Sequence, residues 1–211
     1  LQDHIVNKLV EIQKIIKLRQ AQLTKLDELV KCRFVELFGD PVLNTKQYDV
    51  APLANIASYW NGLTYSPEDV SDEGTIVLRS SNIQNSTLDF KDTVRVNCRI
   101  TAKKYVQEND ILMCSRNGSA KLVGKVALIQ GIKEPMAFGA FMMIIRSALY
   151  YPYLMTYFQT PAFRLQIATG ATTTINQITG NMLDKVKLPI PPVSEIKAFS
   201  SFVHRIDKLR F

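Results

Sequence analysis

Three polar segments hold the side chains that could do chemistry: LRSSNIQN at 78–85, SRNGSAK at 115–121 and TGATTTINQ at 169–177. An Arg guanidinium can bond two acceptors of guanine at once, and an Asn or Gln amide can do the same on adenine. Ser, Thr and backbone amides suit phosphate oxygens. The contact candidates are therefore Arg79, Ser81 and Asn82 in the first segment, and Arg116, Asn117, Ser119 and Lys121 in the second. The third contributes Thr172, Thr173, Thr174, Asn176 and Gln177. Tyr65, close behind Gly62 and Thr64, offers an aromatic contact.

Catalytic patterns do not emerge. Gly118 to Lys125 (GSAKLVGK) imitates a phosphate loop, but that loop needs four residues between its glycines and a Ser or Thr after the Lys. Here five residues separate Gly118 from Gly124, and Val126 follows the Lys. The only histidines, His4 and His204, sit on helical stretches, away from any Ser or Cys nucleophile. Glu68, Asp69, Asp72 and Glu73 read as a solvated turn. Cys32, Cys98 and Cys114 are odd in number and far apart, which argues against a zinc site or a disulfide framework and for reduced thiols. No metal, cofactor or enzymatic activity is expected.

The elements that must position these segments differ in period. Residues 1–38 repeat apolar side chains at alternating steps of four and three, a long amphipathic helix with a coiled-coil seam. Its partner face comprises Ile5, Leu9, Ile12, Ile16, Leu23, Leu26 and Val30. Gly39 stands where a C′ glycine ends a helix. Such a helix is about 57 Å long, too long for one small domain to cover.

From Asp40 the pattern breaks into short runs. Strand candidates are 75–83, 93–100, 110–116, 125–131, 139–147 and 185–190, with helices at about 150–159 and 161–168. Pro161 should open the second of these helices. Pro189, Pro191 and Pro192 close the region, and Ser194 is placed to cap a last helix over 195–211. The expected class is α+β: a globular domain at 39–190 on a helical stalk whose two helices form an antiparallel coiled coil.

The 211 residues carry a net charge of +7, spread along the chain rather than gathered in a tail, and 46% are hydrophobic. The composition excludes disordered and collagen-like classes and suits a polyanionic partner. The longest apolar stretch, Ala137 to Ile145, is far below the ~20 residues of a membrane helix. With no basic-then-apolar leader, a soluble cytoplasmic protein is expected. Numbering starts at Leu1, so a preceding segment is expected too.

Taken together, these pieces resemble the DNA-specificity (S) subunits of type I restriction-modification systems. RQAQLTKLDELVKCRFVELFGDP (19–41) is similar to the end of the family's spacer helix leading into a target-recognition domain. NDILMCSRNGS (109–119) resembles the strand and loop before an R-x-G-S-type turn, and INQITGNMLDKVKLPIPPVSEI (175–196) the close of a recognition domain. Ile196 departs from the Gln that many members carry.

The resemblance implies a non-catalytic subunit that chooses a sequence on double-stranded DNA. Methyltransferase (modification) subunits would dock on its helices, bringing S-adenosylmethionine to modify adenine, and restriction subunits would join to cut. Members usually have two recognition domains and two spacers. This chain then reads as one domain, one complete spacer and the start of a second at 191–211. The uncovered seam predicts self-association of the fragment through the stalk. The alternative from another class is a coiled-coil adaptor whose globular head binds protein and no DNA.

Overall fold

The computed structural model describes residues 2–168 and 177–210. Helix α1 spans Gln2–Phe38, a stretch free of Pro and Gly. It stops at Gly39, whose φ of +72° only glycine adopts without strain and whose N–H reaches the Val35 carbonyl at 2.8 Å.

Twelve short strands follow among the described residues. They are β1 (Val50–Pro52), β2 (Ser58–Asn61), β3 (Val70–Ser71), β4 (Thr75–Leu78), β5 (Ile83–Gln84), β6 (Thr87–Leu88), β7 (Val94–Val96), β8 (Ile111–Cys114), β9 (Val126–Leu128), β10 (Met136–Phe138), β11 (Met142–Arg146) and β12 (Lys187–Pro189). Between β11 and β12 lie α2 (Tyr151–Tyr157), α3 (Pro161–Ile167) and α4 (Gly180–Leu183). The chain closes with α5 (Val193–Asp207).

Two four-stranded sheets form the body, ordered β2-β11-β8-β9 and β10-β4-β7-β3. All pairings within them are antiparallel except β10 on β4. The first sheet is buried on both faces. Ile111 and Met113 of β8 and Met143 and Ile145 of β11 face one core with Leu154, Phe158 and Phe163 from the helices. Leu112, Cys114, Met142 and Ile144 face the opposite way, against Ile76, Leu78 and Phe138 of the second sheet. Double-sided burial is why ILMC and MMII are continuous apolar runs rather than alternating ones.

The helices are anchored by aromatic packing. Phe34 stacks on Tyr153 with ring centroids 5.3 Å apart, and Phe38 meets Phe199 of α5 edge-on at 5.2 Å. Farther along, Arg33 lies over Phe202, and Arg210 pairs with Asp27 at 2.6 Å. Rising numbers on α5 thus meet falling numbers on α1, so the two run antiparallel. The chain enters and leaves the sheets side by side, because β1 pairs antiparallel with β12, Val50 opposite Pro189.

One expectation needs correction. α5 starts at Val193 with Pro192 as its N-cap, so Ser194 lies inside the first turn and caps nothing. Pro192 has no side-chain acceptor, so no side-chain hydrogen bond caps the first turn. The seam face of α1 is partly covered within the chain. Leu26 is buried and Leu23 and Val30 are half-buried along the stretch that α5 covers. Ile5, Leu9, Ile12 and Ile16 remain 50–54% exposed. No helix among the described residues is long and apolar enough to cross a membrane, and the Ala137–Ile145 stretch divides between β10 and β11.

Candidate nucleic-acid interface

Strand ends bring the polar segments together. β4 runs into a single 3-10 turn at Ser80–Asn82, and β8 runs into Ser115. The N–H groups of Ser115 and Arg116 both donate to the carbonyl of Phe141, at 2.9 and 3.0 Å, and the Ser115 hydroxyl donates to it as well. Ile178 N–H donates to Ser115 O at 2.7 Å, and Arg116 forms a β-bridge with Gln177. The Asn117 amide completes the junction by donating to the Ser80 hydroxyl at 3.1 Å. The first two segments singled out by residue type, and Gln177 at the end of the third, therefore meet at one place. Sequence separations of about 35 and 60 residues are closed by the two sheets.

The exposed groups at the junction are Arg116, Ser119, Lys121 and Gln177. Arg116 forms no ion pair among the described residues, and its guanidinium carbon lies 5.4 Å from the Phe141 ring centroid. Phe141 is itself 60% exposed. A guanidinium resting on an aromatic face is oriented yet keeps its in-plane donors available. That arrangement can fork onto a base edge or a phosphate.

Phe141 was missed in the sequence because it sits within an apolar run, GAFMMIIRS, read as strand throughout. Parity misplaces it, because Met143 and Ile145, two and four positions on, are both buried. Phe141 is exposed because it precedes the strand's first paired residue, Met142.

Other candidates have structural duties. Asn82 is fully buried. Its carbonyl accepts from Arg79 N–H at 2.8 Å, and its amide donates to the carbonyls of Asp89 and Asp92 at 2.9 and 2.8 Å. This corrects its assignment as a DNA contact, because a side chain with no surface and every strong bond satisfied reaches no base. Arg79 is held by Asp92, Nη2 lying 2.9 Å from both carboxylate oxygens. Its Nε and the Ser81 hydroxyl are buried without a partner. The first segment is therefore mainly a support under the junction. Asn117 likewise uses its carbonyl locally, accepting from Ser119 N–H at 2.9 Å. Tyr65 packs on the small cluster of Val77, Val96 and Ala137. Thr172, Thr173, Thr174 and Asn176 lie outside the described residues.

Of the cysteines, Cys114 touches the junction only through its thiol, which donates to the Arg116 carbonyl at 3.6 Å. Cys114 is fully buried, and burial pushes its thiol pKa up and keeps it protonated. Among the described residues no cluster of His, Cys, Asp and Glu could hold a metal ion.

Comparison with known proteins agrees with this architecture. The family described as "Type I restriction modification DNA specificity domain" matches residues 45–210. The Type I restriction enzyme EcoKI specificity subunit of Escherichia coli (strain K12) is 28% identical over 156 residues, covering 70% of this chain and 33% of that protein. The StySPI specificity subunit of Salmonella potsdam is also 28% identical, over 155 residues, with the same coverage. The chain thus spans about a third of the length of these relatives. The crystal structure of the HsdS subunit from Thermoanaerobacter tengcongensis has the same fold, with a TM-score of 0.61 at 16% identity over 95% of this chain and 47% of that one. With the matched family region running from the loop after α1 to the end of the last helix, the chain belongs to the type I restriction-modification DNA specificity domain family.

Proposed function

We propose that this chain reads one half of a bipartite site on double-stranded DNA, as the specificity element of a type I restriction-modification complex. The observation that supports this most is the convergence of two polar segments and Gln177 around Arg116, a cation without an ion pair among the described residues and poised on an exposed aromatic ring. In this reading Arg116 and Gln177 contact base edges. Lys121 and Ser119 hold the sugar-phosphate backbone, and Asn117 positions the loop. Thr172, Thr173, Thr174 and Asn176 are assigned to the same surface from residue type alone.

The chain contributes no catalytic step. Methyltransferase subunits dock on the helices and modify the DNA that the chain selects, and restriction subunits join the same assembly in the cytoplasm. Residues 39–190 act as the recognition domain, 1–38 as a spacer helix and 191–211 as the start of another. The spacers form an antiparallel coiled-coil stalk, longer than the part that α5 covers within this chain.

Selection from random duplexes, with modification subunits present, tests the reading. Enrichment of a defined half-site supports it. Recovery of duplexes without any shared sequence contradicts it.

A further inference from the structure

A cleft of about 330 Å³ lies beside the junction, between the β5–β6 hairpin, the start of β9 and the link from α2 to α3. Its walls carry Gln84, Asn85, Lys125, Gln159 and Arg164, and no carboxylate lines it. Arg164 donates through Nη1 to the Val123 carbonyl at 2.7 Å and lies over Gly124, where a Cβ would come within 2.8 Å of that nitrogen. The missing side chain at Gly124 is what lets the guanidinium settle there. Neither Arg164 nor Lys125 is ion-paired among the described residues. Arg164 is half-buried, and burial lowers its pKa, the signature of a cation desolvated without a counter-charge.

Two hydrogen bonds tie walls of the cleft to the strands and turn that carry the loop cluster. Gln84 donates to Ser81 O at 3.0 Å, and the Lys125 carbonyl accepts from Cys114 N–H at 2.9 Å. The hairpin rim is held by a two-residue turn in which Asn85 and Ser86 have φ of +50° and +63°, a type I′ geometry that fits the twist of paired strands. The Ser86 hydroxyl donates to Gln159 Oε1 at 3.1 Å, which ties the rim to the helical wall.

We propose that this cleft seats a phosphodiester of the bound DNA between Lys125 and Arg164, next to the bases read at Arg116. The inference rests on the DNA-reading function proposed above. Two unneutralised cations, one oriented by a backbone carbonyl, give a phosphate both charge and a fixed fork. The contact is sequence-independent and sets how the duplex lies across the junction.

The test compares the unaltered chain with Lys125→Gln and Arg164→Gln in duplex binding across a salt series. Each variant should bind preferred and unrelated duplexes about tenfold more weakly, an effect typical of one charge-assisted contact. The dependence of log affinity on log salt should fall by about 0.9 per contact removed. The ranking of sequences should not change. Lys125 makes no side-chain hydrogen bond among the described residues, so its variant reports on DNA even if Arg164→Gln disturbs folding. An unchanged salt slope in Lys125→Gln, with sequence preference intact, overturns the cleft while leaving the reading function standing. Absence of duplex binding by the unaltered chain overturns both.

Discussion

The Tyr48 hydroxyl donates to the Glu195 carboxylate, so the loop that follows α1 is fastened to the first turn of α5. The same hydroxyl lies 3.1 Å from the Leu37 carbonyl, at the end of α1. One phenol therefore bridges both helices where they meet the sheets. Burial raises its pKa most, with the neighbouring carboxylate adding to the shift.

Alkaline pH should consequently weaken the fold. Tyr59, Tyr153 and Tyr157 are raised as well, each chiefly by burial. A raised phenol pKa means the folded chain keeps protons that the unfolded chain releases above about 10, so stability is full below that value and falls as pH climbs past it. Urea midpoints measured from pH 8 to 11 should decline, and less steeply in Tyr48→Phe. A flat profile would contradict the assignment.

Replacing Asn82 with Ala should act on folding rather than on sequence choice. Three backbone groups in part-buried bonds would lose their partner, at a cost of up to about 1–3 kcal/mol for each group left unsatisfied. Chemical denaturation should show a loss of at least about 2 kcal/mol. A variant of normal stability with altered sequence preference would return Asn82 to the list of contacts.

At the junction itself, two substitutions should separate. Lys121→Ala should weaken all duplexes equally and reduce the salt slope by about 0.9. Arg116→Ala should relax choice at one base pair by roughly 1–3 kcal/mol. Binding to a panel of single-position site variants distinguishes them, and uniform loss in both would remove direct readout from Arg116.

Self-association should depend on the open half of α1. Leu9 and Ile16 are 54% and 53% exposed on a helix face that α5 does not reach. Apolar surface of this extent favours association, here through a second copy of the seam. Sedimentation should show a dimer for the unaltered chain and a folded monomer for Leu9→Glu with Ile16→Glu. A monomer at high micromolar concentration for the unaltered chain would overturn the expectation.

The sequence was legible where burial dictates residue type. α1, the apolar runs of β8 and β11, and Pro161 opening α3 all follow from period or punctuation that the environment demands. β2 and β10 were not foreseen. β10 is three residues long between Pro135 and Gly139, too short to show a period, and β2 (SYWN) carries mixed polarity. α4 spans only one turn.

At the site, residue chemistry marked the segments but not their division of labour. Arg79 and Arg116 look alike in sequence, yet Asp92 engages one while Phe141 merely supports the other. That difference depends on contacts 13 and 25 residues away, which no local pattern encodes.

The pairing of Val50 with Pro189 makes the intervening chain, topologically, one long insertion in a helical hairpin. A residue gained or lost in any loop between those two positions leaves the alignment of α5 against α1 where it was. The surface proposed to choose a sequence can therefore be rebuilt, or exchanged whole, without disturbing the frame that carries it. Selection acting on target choice and selection acting on assembly would then fall on separate parts of the same gene product, each free to drift at its own rate.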